Sequence, residues 1–431
     1  MKLESTTRKS GSEVEDVGAF RARAEQWLAA TRPAKPGAAE TSLTWGEGVF
    51  DVTVFHDRSL EEERAYLASY VDWIQQRHDA GFWAITWPVE RGGAGLTKAH
   101  HRAYLEVESQ FDVPNDHELI SVTTKLVAPA VEQFGQPEVR DRLAIDFLLA
   151  KQFACQLFSE PGAGSDLAGL STKAVRDGDE WVLDGQKVWT SNARIAPWGL
   201  AICRTDPDVP KHAGLTAFLV PMQSEGIEVR PIKQMNGGAS FNEVFFTGAR
   251  IPDSLRLGEV GDGWKVAIAV LGFERENSGG AGRRGGEFDD LLLLARHLGR
   301  TEDPLIRQDL ARVYSLYKAR MWARDRAAAS AKRAGGSGPE GSIGKLLWTV
   351  AMRQISDLSS QLLGPLLTAD TGEWGTFGWN QHVLGAPGYR IAGGSDEIQR
   401  NIIGERVLGL PGEPRVDRDI PFSELVKLGR G

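Results

Sequence analysis

Two short stretches carry the residue types of a cofactor cradle. In Gln156-Leu157-Phe158-Ser159-Glu160-Pro161-Gly162-Ala163-Gly164-Ser165-Asp166, Gly162 and Gly164 permit a tight backbone whose N–H groups point at an anion or at the polar edge of a ring. Ser159 and Ser165 add hydroxyl donors. In Gln186-Lys187-Val188-Trp189-Thr190-Ser191-Asn192, Trp189 offers a flat face for a conjugated ring and Ser191 a donor at its edge. Each has a plainer reading alone: a turn entering a β-region for the first, a core tryptophan for the second. Their order and spacing, which return the second stretch beside the first, favour a shared site.

Other chemistries fall away. Gly280-Ala281-Gly282-Arg283-Arg284-Gly285 matches a dinucleotide fingerprint in letters, but a helical pattern precedes it where a strand is required. Gly344-Lys345 has the end of a phosphate loop without its first glycine, replaced by Pro339, or its hydroxyl residue, replaced by Leu346. The eight histidines and two cysteines show no metal-ligand spacing, and no serine sits in a Gly-x-Ser-x-Gly elbow.

Three blocks of pattern must position the two stretches. Residues 1–16 read as a disordered tail. Helical spacing covers Phe20 to Ala30, Leu60 to Ala80 and much of Lys98 to Ala150, with an irregular connection from Arg32 to Phe55 and a Pro/Gly break at Trp87 to Leu96. From Lys151 the pattern becomes β. Trp181 to Trp189 reads as two strand arms about Asp184-Gly185, a hairpin signal, and Leu200–Arg204, Leu215–Val220, Ile227–Ile232 and Glu243–Thr247 are further strands. They predict a compact β-domain, sandwich or barrel. After Gly263 helices return at Trp264–Asn277, Phe288–Leu298, Pro304–Arg333, Gly344–Leu363 and Ser395–Leu408, with a Gly-rich joint from Ala334 to Gly341. Ile306, Leu310, Val313, Leu316 and Tyr317 share a face, as a bundle requires. The organisation is α+β: residues 17–150 helical, 151–262 β, 263–431 a four-helix bundle.

The totals fit two or three soluble domains: 431 residues, 41% apolar and 25% charged. A net charge of −8 speaks against nucleic-acid binding. No run approaches the ~18 apolar residues that span a bilayer, and the first residues lack the apolar stretch of a secretory signal. Cys155 and Cys203 lie in apolar, strand-like surroundings and read as buried thiols of a cytoplasmic protein.

Both stretches, with Trp87-Pro88 to Gly95-Leu96, Phe241-Asn242-Glu243-Val244-Phe245-Phe246, Gly261-Asp262-Gly263-Trp264 and Gly393-Gly394-Ser395-Asp396-Glu397, resemble the acyl-CoA dehydrogenases over nearly the whole chain. That resemblance implies FAD, α,β-dehydrogenation of an acyl-CoA thioester, and electron delivery to an electron-transfer flavoprotein. It places Phe158, Ser159, Gly164 and Trp189 around the isoalloxazine, Ser191 near its N5, and Ser165 near the thioester ligand. It implies that Arg296 and Gln308 reach the FAD of a neighbouring subunit in a homodimer or homotetramer, a heterotetramer being the variant. Gln361, Gly364, Ser395 and Glu397 match further cofactor contacts, with Pro365 departing from the usual second glycine. Ser395 is equally a helix N-cap.

Many members of the family carry the base as a glutamate in the late loop. Here that position is Gly393, whose N–H still serves the thioester oxygen. The chain instead resembles the isovaleryl- and long-chain subgroup, whose glutamate lies eleven residues after a Gly-x-Gly and precedes an arginine. Counting from Gly263 gives Glu274, then Arg275. Glu274 is the expected base, Arg275 its neighbour toward the substrate, and Glu276 the fallback. The local pattern resembles actinobacterial-type dehydrogenases of branched or bulky acyl groups. A carrier-protein thioester, a flavin oxidase or monooxygenase of the same fold, and a non-catalytic partner subunit are the competing readings.

Overall fold

Side-chain caps and an i, i+4 apolar stripe define the first helix. Asp16 accepts from the N–H groups of Gly18 and Ala19, and Phe20, Ala24 and Leu28 are fully buried. The Leu60–Asp79 helix opens with a capping box, Ser59 and Glu62 each bonding the other's backbone N–H. It packs Leu67, Trp73 and Ile74 into the same core. The computed structural model describes residues 14–35, 44–56, 58–277, 285–334, 338–414 and 417–429. Most of the expected tail, residues 280–284 of the rejected fingerprint and residues 335–337 of the Gly-rich joint lie outside these. The tail reading fails at its end, since Glu15 pairs with Arg23 and Asp16 is a cap.

After Lys98–Glu108 an irregular segment leads into Glu118–Val122, which passes through a π turn at Thr123–Val127 into Ala128–Phe134. The single helical block expected from Lys98 to Ala150 is therefore broken in several places.

The strands are β1 (Ala154–Leu157), β2 (Lys173–Asp177), β3 (Glu180–Ser191), β4 (Trp198–Arg204), β5 (Leu215–Pro221), β6 (Ile227–Pro231), β7 (Phe241–Pro252) and β8 (Arg256–Leu257). They form one hydrogen-bonded sheet in the order β6-β7-β3-β2-β4-β5-β8, with β1 parallel to β4. The hairpin expected at Asp184-Gly185 does not form. β3 runs straight through it with a bulge between Leu183 and Asp184, and the true turn is at Gly178, joining β2 to β3. At Gly185 a Cβ would stand 2.5 Å from Thr172 Oγ1, so the glycine is there for close approach rather than for a turn. Cys155 and Cys203 are buried free thiols, and burial pushes both up to about 12.

The Gly263–Asn277 helix buries Val266, Ala267 and Val270 in the core shared by the N-terminal helices and the sheet. The bundle core is separate. Leu291 and Leu294 of Phe288–His297 meet Ile306, Leu310 and Val313 of Pro304–Ala334 and Ile355, Leu358 and Leu362 of Gly341–Leu363. The segment 44–56, expected as a mere connection, lies across this bundle: Trp45 stacks on His297 at 3.7 Å and Val52 enters the core. A further helix, Gly378–Tyr389, receives it. No described helix is long and apolar enough to cross a membrane.

Candidate active site

A buried ion pair holds the first glycine loop. Lys187 is fully buried on β3, and its Nζ donates to Glu160 Oε1 (2.7 Å), the Ile202 carbonyl (2.7 Å) and the Phe158 carbonyl (3.1 Å). Glu160 also accepts from the N–H groups of Ser171 (2.6 Å) and Thr172 (3.0 Å). Burial alone raises the Glu160 carboxyl, but the Lys187 ammonium and these hydrogen bonds outweigh it and hold the group below its ordinary value. Glu160 and Ala163 exchange backbone hydrogen bonds, closing the turn. An added Cβ at Gly162 or Gly164 would meet nothing within 4 Å, so this face of the loop is open.

The second stretch comes alongside the first. The Val188 N–H donates to the Ser159 carbonyl at 2.9 Å. A second β3 irregularity, between Lys187 and Thr190, turns Trp189 to φ +61°. This left-handed conformation is costly for a bulky residue. It throws the indole outward, 60% exposed, so Trp189 is not a core tryptophan. Ser191 Oγ donates to Glu118 Oε1 at 2.9 Å. A hydroxyl has one proton, so while Glu118 takes it Ser191 presents only lone pairs elsewhere. Sequence reading missed Glu118; its only signal is the polar run Asn115-Asp116-His117-Glu118 heading an otherwise apolar helix.

The late loop meets the helix that carries Glu274. Gly393 has φ +66°, and an ideal Cβ built on it would stand 3.4 Å from Glu274 Oε1. A helix carboxylate and a glycine loop 119 positions apart in sequence are thus brought together. Gln399 Nε2 donates to the carbonyls of Gly393 (3.1 Å) and Gly394 (3.2 Å), and Lys345 Nζ donates to the Gly394 carbonyl (2.7 Å). Neither glycine N–H donates to backbone among the described residues. Ser395 caps the Asp396–Ile402 helix, accepting from the Ile398 N–H, its plain structural role. An alanine at Gly393 would occupy the left-handed region at about 1–2 kcal/mol and crowd Glu274. We expect Gly393→Ala to lower the melting temperature and to reduce kcat about tenfold, the equivalent of ~1.4 kcal/mol, measured by thermal unfolding and steady-state kinetics.

The remaining expected residues divide clearly. Phe158 is buried and Ser159 half-buried at the loop; Ser165 is exposed at its tip. Arg296, Gln308, Gln361 and Gly364 are all exposed on bundle helices or their ends, and Glu397 is exposed and pairs with Arg400 at 3.3 Å. The side chains of Arg275 and Glu276 lie outside the described residues. A separate cleft beside the end of β3, lined by Arg58, Glu63, Asn192, Arg194, Ser240 and Asn242, does not include Glu274.

The chain matches the acyl-CoA dehydrogenase N-terminal domain over residues 54–148, the middle domain over 155–249 and the C-terminal domain over 261–408. It belongs to the acyl-CoA dehydrogenase family and is an acyl-CoA dehydrogenase. It is similar to the acyl-CoA dehydrogenase IpdE1 of Mycobacterium tuberculosis, 38% identical across 93% of this chain and 100% of that one. Among solved structures it is similar to a variant of the Tcur3481-Tcur3483 steroid ACAD, with TM-score 0.67 and 26% identity over 92% of this chain and 99% of the other. The ChsE4-ChsE5 complex from Mycobacterium tuberculosis gives TM-score 0.65 and 25% identity over 94% and 100%. FAD is the cofactor expected of the family. The residues present fit it: an open glycine turn, an outward indole on a strained bulge, and a hydroxyl beside them.

Proposed function

We propose that this chain dehydrogenates the α,β-carbons of an acyl-CoA thioester with a branched or bulky acyl group, using Glu274 as the base, and passes the electrons to an electron-transfer flavoprotein. The observation that carries this reading is the approach of the Glu274 carboxylate to the late-loop position at Gly393. A base on the Gly263–Asn277 helix reaches the place that a loop glutamate would otherwise fill, close enough that even a Cβ at Gly393 would be in contact with it.

Phe158, Ser159, Gly164, Trp189 and Ser191 would hold FAD, with Gln361, Gly364, Ser395 and Glu397 as further contacts; Arg296 and Gln308 would serve a neighbouring subunit. When bound, FAD supplies the hydride acceptor. Glu274 takes the α-proton as a carboxylate. The Gly393 N–H stabilises the negative charge that develops on the thioester oxygen, the logic of an oxyanion hole. Ser165 would lie near the thioester ligand, and Arg275, next to the base in sequence, is the other residue assigned to the substrate. We take residues 17–150, 151–262 and 263–431 as the three domains, and the cytoplasm as the compartment.

An anaerobic titration of the flavin-bound protein with short, branched, long and steroidal CoA thioesters tests the reading. Flavin absorbance should bleach with the branched or steroidal members at lower concentration than with the linear ones. A protein that binds flavin but bleaches with none of them is not the catalyst described here.

The names of the two structural neighbours favour a second arrangement, since both are pairs of unlike chains. In it, this chain works in a heteromer, and a site is completed by a second, different chain. A protein that purifies with flavin, as one oligomer of a single chain and fully active, excludes that arrangement in favour of a homodimer or homotetramer.

A further inference from the structure

Lys345 belongs to no motif that the function has absorbed; its only sequence signal was a broken phosphate-loop pattern. The structure places it in the Gly341–Leu363 helix, half-buried, with its ammonium turned into the late loop. Nζ donates to the Gly394 carbonyl at 2.7 Å and stands 3.8 Å from Asp396 Oδ1. Asp396 is itself buried and saturated, accepting from Thr349 Oγ1 (2.7 Å) and Arg390 Nε (2.9 Å). Together with Gln399, Lys345 fixes both glycine carbonyls of the loop. Each carbonyl shares its peptide plane with the next residue's N–H, so pinning these oxygens fixes the Gly393–Gly394 and Gly394–Ser395 planes, the backbone that directly follows the Gly393 N–H.

The same ammonium feels Glu274. Burial pushes Lys345 below its ordinary value, while Asp396, Glu397 and Glu274 pull it back up and Arg390 opposes them. These are the charges that face it from Asp396–Ile402, from Gly263–Asn277 and from the end of Gly378–Tyr389. On Pro304–Ala334, packed along the same helix, Arg320 stands 6.0 Å over the Trp348 ring.

We infer that Lys345 is a positioning residue for the dehydrogenation: it holds the Gly393–Gly394 loop in place for the thioester oxygen, acting through the loop backbone. This inference rests on the reading of Glu274 as the base.

The test separates α-deprotonation from turnover. A 3-thiaacyl-CoA has an acidified α-proton and no β-hydrogen to surrender, so its proton passes to the base, the electron pair stays on the ligand as an enolate, and the bound enolate gives a long-wavelength charge-transfer band with oxidised flavin. The band is titrated against pH in the parent, in Lys345→Met and in Lys345→Gln, using linear, branched and cyclic thiaacyl tails. Flavin content and melting temperature are read alongside. We expect both variants to keep flavin and to give a band about tenfold weaker than the parent's, roughly the cost of losing one charged hydrogen bond that holds the loop. Either variant that folds decides the matter. A folded variant with the parent's midpoint and amplitude overturns the inference and leaves the base assignment standing. A parent that gives no band with any tail overturns the base assignment, and the inference with it.

Discussion

Replacing Glu274 by glutamine lowers kcat about 10²–10⁴-fold, the range that loss of a general base commonly costs, while the protein keeps its flavin and its fold. Glutamine has nearly the volume of glutamate and retains hydrogen-bonding capacity, so packing beside Gly393 survives. What it loses is the ability to take the α-proton. KM should change far less than kcat, because the carboxylate acts on the reacting carbon and not on the CoA moiety. The other carboxylates described nearby are poor substitutes. Asp396 is held by Thr349 and Arg390, and Glu118 accepts the Ser191 proton. Glu397 lies on the exposed side of its helix beside Arg400. A variant that keeps more than a tenth of the parent's kcat would place the base on another residue.

Much of the fold was legible because hydrophobic period and turn chemistry agree over long stretches. Leu215–Pro221 is buried at nearly every position and bounded by glycine and proline, so its strand character is unambiguous. Glu274 was expected only through the resemblance to the isovaleryl- and long-chain subgroup, and what the structure adds is its approach to Gly393. Where reading failed, tertiary contact had overridden local chemistry. Asp184-Gly185 has the letters of a hairpin turn, yet Gly185 is required because the Thr172 backbone and side chain approach it too closely for any Cβ. The Gly378–Tyr389 helix was invisible, with three glycines and a proline inside it. Those residues serve the segment lying upon it: a Cβ at Gly385 would stand 2.6 Å from Val54 Cβ, and one at Gly388 2.7 Å from the Phe55 ring. Glu118 and Lys345 were missed for another reason. Each acts on a partner more than 45 positions away, Ser191 and Gly394 respectively, and no local pattern records such a pairing.

The largest loss of stability is expected at Lys187. Lys187→Met keeps the aliphatic bulk and removes the ammonium, leaving Glu160 buried without its counter-ion. Breaking a buried pair from one side costs about 3–5 kcal/mol. Three acceptors lose their donor at once: the Glu160 carboxylate and the carbonyls of Phe158 and Ile202. Two of them shape the loop expected to cradle the flavin, so the variant should lose bound FAD before it unfolds, seen as free flavin fluorescence rising below the melting temperature. The pH dependence follows from the sign of the Glu160 shift. Its folded value lies below the ordinary 4.5. The stability it contributes is therefore complete above about pH 4.5 and is lost as pH falls through the lower, folded value. In the parent, thermal stability should owe nothing to this pair's titration between about pH 6 and 8, well above the ordinary value of 4.5, and should decline below 4.5. In Lys187→Met the buried carboxyl takes up a proton at higher pH. That variant should gain stability relative to its own neutral-pH value as the solution is acidified from pH 7 toward 5, about two units over which protonation relieves an unpaired buried charge. Melting curves for both proteins across this range decide it. A variant that melts like the parent at pH 7 and retains its flavin would show that the Ser171 and Thr172 N–H groups hold the Glu160 carboxylate without Lys187.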